Sequence, residues 1–209
     1  MAADTIARNA ARHRLADDEP VWLFGYGSLI YKVDFPYLQR CPASVTGYQR
    51  RFWQGSEDHR GTPGRPGRVV TLVEEPGTRC GGMAYQVAAR VFRALDVREK
   101  NGYLRLWTRL WLAGQKEVDG LIYIAGPDNP AFLGPAPDAE LARQIGVACG
   151  PSGSNSDYLL HLARALRDLD EYDPHVFALE KALLRARKSG IAAPEANPLE
   201  AEISDLEFF

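Results

Sequence analysis

The spacing of the apolar residues changes once, near residue 138, and that change constrains the fold more than any other feature of the chain. Before it, stretches at 21-26, 43-53, 68-74, 81-88, 104-112 and 118-125 are rich in β-branched and aromatic residues and are set apart by glycine, proline or charged segments, the pattern of strands. "YLRLWTRLW" alternates most cleanly: Leu104, Leu106, Thr108 and Leu110 face one way, Arg105, Trp107, Arg109 and Trp111 the other. The second face reads as a solvent surface on which arginine stems cross tryptophan rings, with a ligand wall as the alternative. Beyond residue 138 the period is helical. "DAELARQIGVACG" forms a short helix ending at Gly150; Tyr158, Leu159, Leu162, Leu166 and Leu169 share one helical face behind Ser154 as N-cap; Asp173 and Pro174 open a last helix that ends in basic residues and Gly190. A short helix around 89-99 interrupts the strands. Strands followed by helices predict an α+β fold.

The 209 residues, 45% of them hydrophobic and 25% charged, can bury one substantial core. The Gly/Pro-rich stretches at 55-67, 126-137 and 150-153 are too short to be linkers, so 21-190 is expected to form a single domain, with 1-20 an extension and 191-209 a tail. The extension carries Arg8, Arg12 and Arg14 among alanines but no long apolar block, and Asp17, Asp18 and Glu19 follow at once; it reads as a loosely attached helix rather than a targeting peptide. The tail, with Pro194, Pro198 and acidic residues, is expected to be surface-bound or mobile. No apolar stretch approaches the roughly 18 residues of a membrane span. Cys41, Cys80 and Cys149 are odd in number and lack C-x-x-C spacing, which fits a reducing, cytoplasmic setting. A formal charge of -2 gives no global attraction to nucleic acid, although a local anion site is allowed.

Three stretches can carry chemistry. "FGYGSL" lacks the spacing of a P-loop and that of a hydrolase nucleophile elbow, since Leu29 and Ile30 follow Ser28. Gly25 and Gly27 instead free the backbone to turn sharply and present N–H groups to a carboxylate, Ser28 adding a hydroxyl; a plain turn is the bland alternative. Glu99, in "ALDVREKNGY", stands between an apolar run and the Asn101-Gly102 turn, where it can act as a general base or join a solvated cluster with Arg98 and Lys100. "RRFWQGSEDHRGTPGRPGR" is a loop of arginines and aromatics that could stack bases, a reading the overall charge weakens. His13, His59, His161 and His175 are dispersed without ligand spacing, so no metal site and no cofactor is expected.

Taken in order, "VWLFGYGSLIYKVDFPY", "RRFWQGSEDHRGTPGRPGRVVTLVE", "REKNGY", "YIAGPDNPAFLGPAP", "IGVACGPSGSNSDYLLHLARALRDL" and "HVFALEKALL" resemble the glutathione-specific branch of the ChaC-like γ-glutamylcyclotransferases, from about Trp22 to Leu184. The resemblance implies a small mixed β-barrel-like sheet with flanking helices. It implies cofactor-independent cleavage of glutathione to 5-oxoproline and cysteinylglycine, with Glu99 as catalytic base and then acid. Tyr26, Gly27, Ser28 and Leu29 would hold the γ-glutamyl moiety. Arg51, Arg60, Tyr103 and Asn155 are further candidates for substrate contact, with loop support as the competing role for the arginines. The chain departs from the family at its ends and in a compact link between Tyr85 and Glu99. A preference for other γ-glutamyl amines, or γ-glutamyl binding without turnover, are the alternatives; oligomeric state is left open.

Overall fold

Two long antiparallel strands, β2 (Gln39–Ser56) and β3 (Gly67–Ala88), frame the computed structural model, which describes residues 4-189. With β1 (Pro20–Gly25), β4 (Tyr103–Leu112) and β5 (Lys116–Ala125) they close a barrel in the order β1-β3-β2-β4-β5, and the parallel contact of β5 with β1 completes the ring. The stretches 68-74 and 81-88 are one strand rather than two. The intervening residues bulge out where the register slips between Thr46 and Tyr48, with Gly47 and Gly77 at positive φ. A second slip, between Arg51 and Gln54, falls opposite Val70, and two tyrosines that reach the candidate site serve that residue's peptide groups.

Helix α1 (Ile6–Arg12) precedes the barrel, and α2 (Val91–Arg98) lies between β3 and β4. Helices α3 (Asp138–Val147), α4 (Asn155–Asp168) and α5 (Pro174–Lys188) follow it. The α+β class and the barrel-like sheet are those expected. Ser154 caps α4 by accepting from the Asp157 amide, and Asp173 caps α5 by accepting from Val176, with Pro174 at the first turn. Gly190 and the tail fall outside the described residues.

Alternation along the strands splits the core in two. Phe24, Val45, Leu72 and Ile122 pack with Leu141, Leu159, Leu162 and Leu179 of the C-terminal helices. Their neighbours Leu23, Val87 and Leu121 pack on the opposite side against Phe92 and Leu95 of α2. Each such fully buried side chain stabilises the fold by about 1.5–3 kcal/mol, which holds α2 and its C-terminal residue firmly against the barrel.

Two expectations are corrected. Trp107 and Trp111 do lie exposed on the outer face of β4, but Arg105 is buried. It faces Asp96 at 3.2 Å and lies over the Phe92 ring, because α1 and α2 cover that end of the strand. The N-terminal helix is likewise not loosely attached: Thr5 and Asn9 are buried and hydrogen-bonded to the segment after Glu99.

Candidate active site

Where β1 leaves the sheet, "GYGSL" folds into a single 3-10 turn, Ser28–Ile30, closed by bonds from Ile30 to the Gly27 carbonyl and from Tyr31 and Lys32 to that of Ser28. The first amides of such a turn have no acceptor within it. The glycines are needed for space. A Cβ on Gly25 would lie 2.6 Å from that of Leu29, and one on Gly27 would lie 2.9 Å from Val70 Cγ2 and 3.0 Å from the Tyr158 hydroxyl. Tyr26 points inward and donates to the Tyr123 carbonyl at 2.6 Å. Its own carbonyl accepts from Arg50 Nε at 2.6 Å. Arg50 is almost wholly buried and also reaches the Gly81 carbonyl and Asp173, so one guanidinium joins the turn to β3 and α5.

Glu99 terminates α2, its amide bonded to the Leu95 carbonyl. The side chain is 19% exposed and stands 3.3 Å from Arg98 Nε. Arg98 also binds Asp34 at 2.7 Å and the Ser28 hydroxyl at 2.9 Å, so it ties the carboxylate to the glycine turn. Burial pushes the Glu99 carboxyl above its ordinary range; Arg98 opposes the shift, and Asp58 and Asp34 add to it. The raised pKa makes its carboxylate form a better proton acceptor than a free glutamate.

Glu99 lies between two hollows. The inner one, about 50 Å³, is walled by Phe24 to Leu29 with Val70, Glu99, Tyr103, Tyr123 and Tyr158. The outer one, about 280 Å³, shares Ser28, Glu99, Tyr103 and Tyr158 and opens past Lys32, Arg60, Arg98, Asp58 and His59. The inner walls are phenolic. Tyr103 donates to the Val70 carbonyl at 2.7 Å and Tyr158 accepts from the Val70 amide at 3.4 Å, which fixes both rings and satisfies the bulge. Burial raises the pKa of Tyr26, Tyr103, Tyr123 and Tyr158, so all four remain neutral.

The structure thus brings together Glu99, Tyr26, Gly27, Ser28, Leu29, Tyr103 and Arg60, the last 5.5 Å from the Tyr158 ring and bonded to the Ser154 carbonyl. Two sequence candidates do not belong. Asn155 is fully buried and spends its amide on the backbone of Arg68, accepting at 2.6 Å and donating at 2.7 Å. Arg51 bonds Gln49 and the Arg50 carbonyl and lies over Trp53, away from both hollows. Sequence reading missed the roles of Arg50 and Arg98; an arginine beside a candidate base was a signal for Arg98, whereas nothing local distinguishes Arg50 from Arg51. Among the described residues no cluster of three or more His, Cys, Asp or Glu is placed to hold a metal, and Cys41, Cys80 and Cys149 are unpaired.

A closed barrel that sets a desolvated carboxylate beside a glycine turn, at the mouth of a hollow lined by Lys32, Arg60 and Arg98 together with Asp34 and Asp58, has the form of a small-molecule site. The model of the ChaC-like protein family matches residues 21-186, and the chain belongs to that family. It is 44% identical over 182 residues to the glutathione-specific gamma-glutamylcyclotransferase 1 of Danio rerio, covering 81% of this chain and 92% of that protein. Identity to the glutathione-specific gamma-glutamylcyclotransferase of Saccharomyces cerevisiae is 35%, covering 73% and 88%. The crystal structure of a yeast γ-glutamyl cyclotransferase specific to glutathione superposes with a TM-score of 0.73 at 33% identity, covering 81% of this chain and all of that one. No helix among the described residues is long and apolar enough to cross a membrane.

Proposed function

We propose that this protein converts glutathione to 5-oxoproline and cysteinylglycine, acting as a glutathione-specific γ-glutamylcyclotransferase. The observation that carries the reading is the placement of a desolvated Glu99 between the Ser28–Ile30 turn, whose first amides have no acceptor within it, and an outer hollow that offers Lys32, Arg60 and Arg98 beside Asp34 and Asp58. The γ-glutamyl end enters the inner hollow, where Tyr26 to Leu29 hold it, and the cysteinylglycine end extends toward Arg60 and Lys32. The unpaired cysteines fit a reducing cytosol as the place of action.

The reaction needs no water. Glu99 takes a proton from the α-ammonium of the substrate; the freed amine attacks the γ-carbonyl of the same residue, forming the five-membered ring. Holding amine and carbonyl in one recess exploits the high effective concentration of an intramolecular nucleophile. As the bond from the carbonyl carbon to the cysteine nitrogen breaks, Glu99 returns the proton to that nitrogen; the regenerated carboxylate then takes the second proton from the ring nitrogen, leaving the lactam N–H, and passes it to the departing amine, which leaves as an ammonium. Amides of the Gly27–Leu29 turn serve the α-carboxylate or the oxyanion, and Ser28, held by Arg98, supports the turn rather than attacking.

Incubating the purified protein with glutathione in water enriched in heavy oxygen tests this. The reading predicts 5-oxoproline without label and an equal amount of cysteinylglycine. Labelled glutamate would show hydrolysis and overturn it.

A further inference from the structure

The segment before residue 21 precedes the stretch matched by the family model, yet it grips both ends of the helix that presents Glu99. At the start of α2, the Ala89 and Arg90 amides bond the carbonyls of Glu19 and Asp17, and the Arg90 and Arg93 side chains pair with Asp18 and Asp17. At its exit the grip is made by buried groups. Thr5 donates both its amide, at 3.1 Å, and its hydroxyl, at 3.0 Å, to the carbonyl of Lys100, the residue after Glu99. Asn9, fully buried, donates to the Tyr103 carbonyl at 3.0 Å and accepts from the Arg105 amide at 2.8 Å.

The second pair has a specific meaning. Among the described residues β4 pairs with β2 at Trp111 and Leu112, opposite Ser44 and Ala43, and no strand pairs with that edge at its Tyr103–Arg105 end. An asparagine amide carries the donor and acceptor of a peptide group, and Asn9 stands on that edge as one more rung of the ladder. Gln54 donates to the carbonyl of Asn101 at 2.9 Å, so the carbonyls of residues 100, 101 and 103 are all held from behind while Glu99 and the Tyr103 ring face the hollows.

We propose that the N-terminal segment is a clip that positions the active site, with Asn9 and Thr5 as positioning residues that set where α2 ends and hence where the Glu99 carboxylate stands. The proposal rests on Glu99 being the base. Neither residue reaches either hollow, so both act through the backbone of 100-105.

The test uses the full chain with Asn9→Ala, Thr5→Val and, as a control on the exposed face of the same helix, Arg8→Ala. Each is assayed on glutathione at a temperature where unfolding curves show it folded. Because a displacement of about 1 Å can cost a hundredfold, Asn9→Ala is expected to lose ten- to a hundredfold in kcat, with KM little changed, and Thr5→Val several-fold. Arg8→Ala should match the wild type. The acid limb of kcat/KM adds a readout that a purely structural role leaves alone. The charges facing Glu99, namely Arg98 on its own helix, Asp34 after the glycine turn and Asp58 in the β2–β3 loop, are untouched, so a limb moving toward ordinary carboxylate values reports a carboxylate released toward water. Variants that melt earlier but keep wild-type kcat per folded molecule and an unmoved limb overturn the clip. Should Asn9→Ala fail to fold, Thr5→Val, which keeps the backbone bond to Lys100, decides alone. Full turnover by Glu99→Gln would instead remove the reading on which the proposal rests.

Discussion

Replacing Arg50 with methionine tests how the glycine turn is held. The guanidinium, 1% exposed, contacts the Tyr26 carbonyl, the Gly81 carbonyl and, at 2.5 Å, Asp173, whose side chain is 12% exposed. Methionine keeps most of the stem and removes all three bonds. Stranding one partner of a buried ion pair costs about 3–5 kcal/mol. Two carbonyls left without donors would add about 1–3 kcal/mol each if they stayed dry. A hollow of about 130 Å³ lined by Arg50, Gly81 and Asp173 adjoins the second of them, so water can take up the loss at Gly81 but not at Tyr26. A total of about 4–8 kcal/mol is therefore expected, a large share of the 5–15 kcal/mol typical of a domain. Asp173→Asn removes the charge while keeping the oxygen that caps α5 at Val176, which makes the pair suitable for a double-mutant cycle. Urea unfolding of the two single variants and the double variant should give a coupling above about 1 kcal/mol, the double losing less than the sum. Additive losses, or an Arg50→Met variant within about 0.5 kcal/mol of wild type, would refute the claim that this contact holds the turn.

Other consequences are as specific. Glu99 must be ionised to accept a proton, so kcat/KM should fall on the acid side at a pH above the ordinary glutamate value. Arg98→Met removes the cation that opposes the upward shift and should move that limb higher still, read from pH–rate profiles. Gly27→Ala places a methyl against Val70 and the Tyr158 hydroxyl; an overpacking cost of about 1–3 kcal/mol should appear in thermal unfolding, together with a lower kcat/KM. Asn155→Ala leaves the buried Arg68 amide and carbonyl without partners, so it should lose about 2 kcal/mol or more in urea unfolding while keeping wild-type KM per folded molecule.

What the sequence makes legible here is what depends on near neighbours. Ser154 and Asp173 announce their helices because a cap is a contact three residues long, and strand alternation separates Leu23 from Phe24 across two cores. Contacts between distant segments are a different matter. The alternation placed Arg105 on an outer face, correctly as to side; only the return of α1, 96 residues earlier at Asn9, makes that face an interior. Arg50 and Arg51 are adjacent and identical in type, and strand geometry turns one into the core and the other toward Trp53. Asn155 follows the same logic: its motif looked like a ligand contact, but its partners are the backbone of Arg68, 87 residues away. Glu99 stands out locally by its turn, yet the tyrosines that surround it come from two strands, the glycine turn and a helix that no local pattern brings together.

The central claim is that Glu99 moves the proton that permits ring closure. Glu99→Gln keeps the shape and removes the basicity, so the measurement is turnover of glutathione by this variant alongside its affinity for glutathione by calorimetry. The account predicts binding close to wild type with kcat reduced about 10²- to 10⁴-fold, the usual contribution of a general acid–base group. A variant that binds glutathione and still forms 5-oxoproline at the wild-type rate would contradict it.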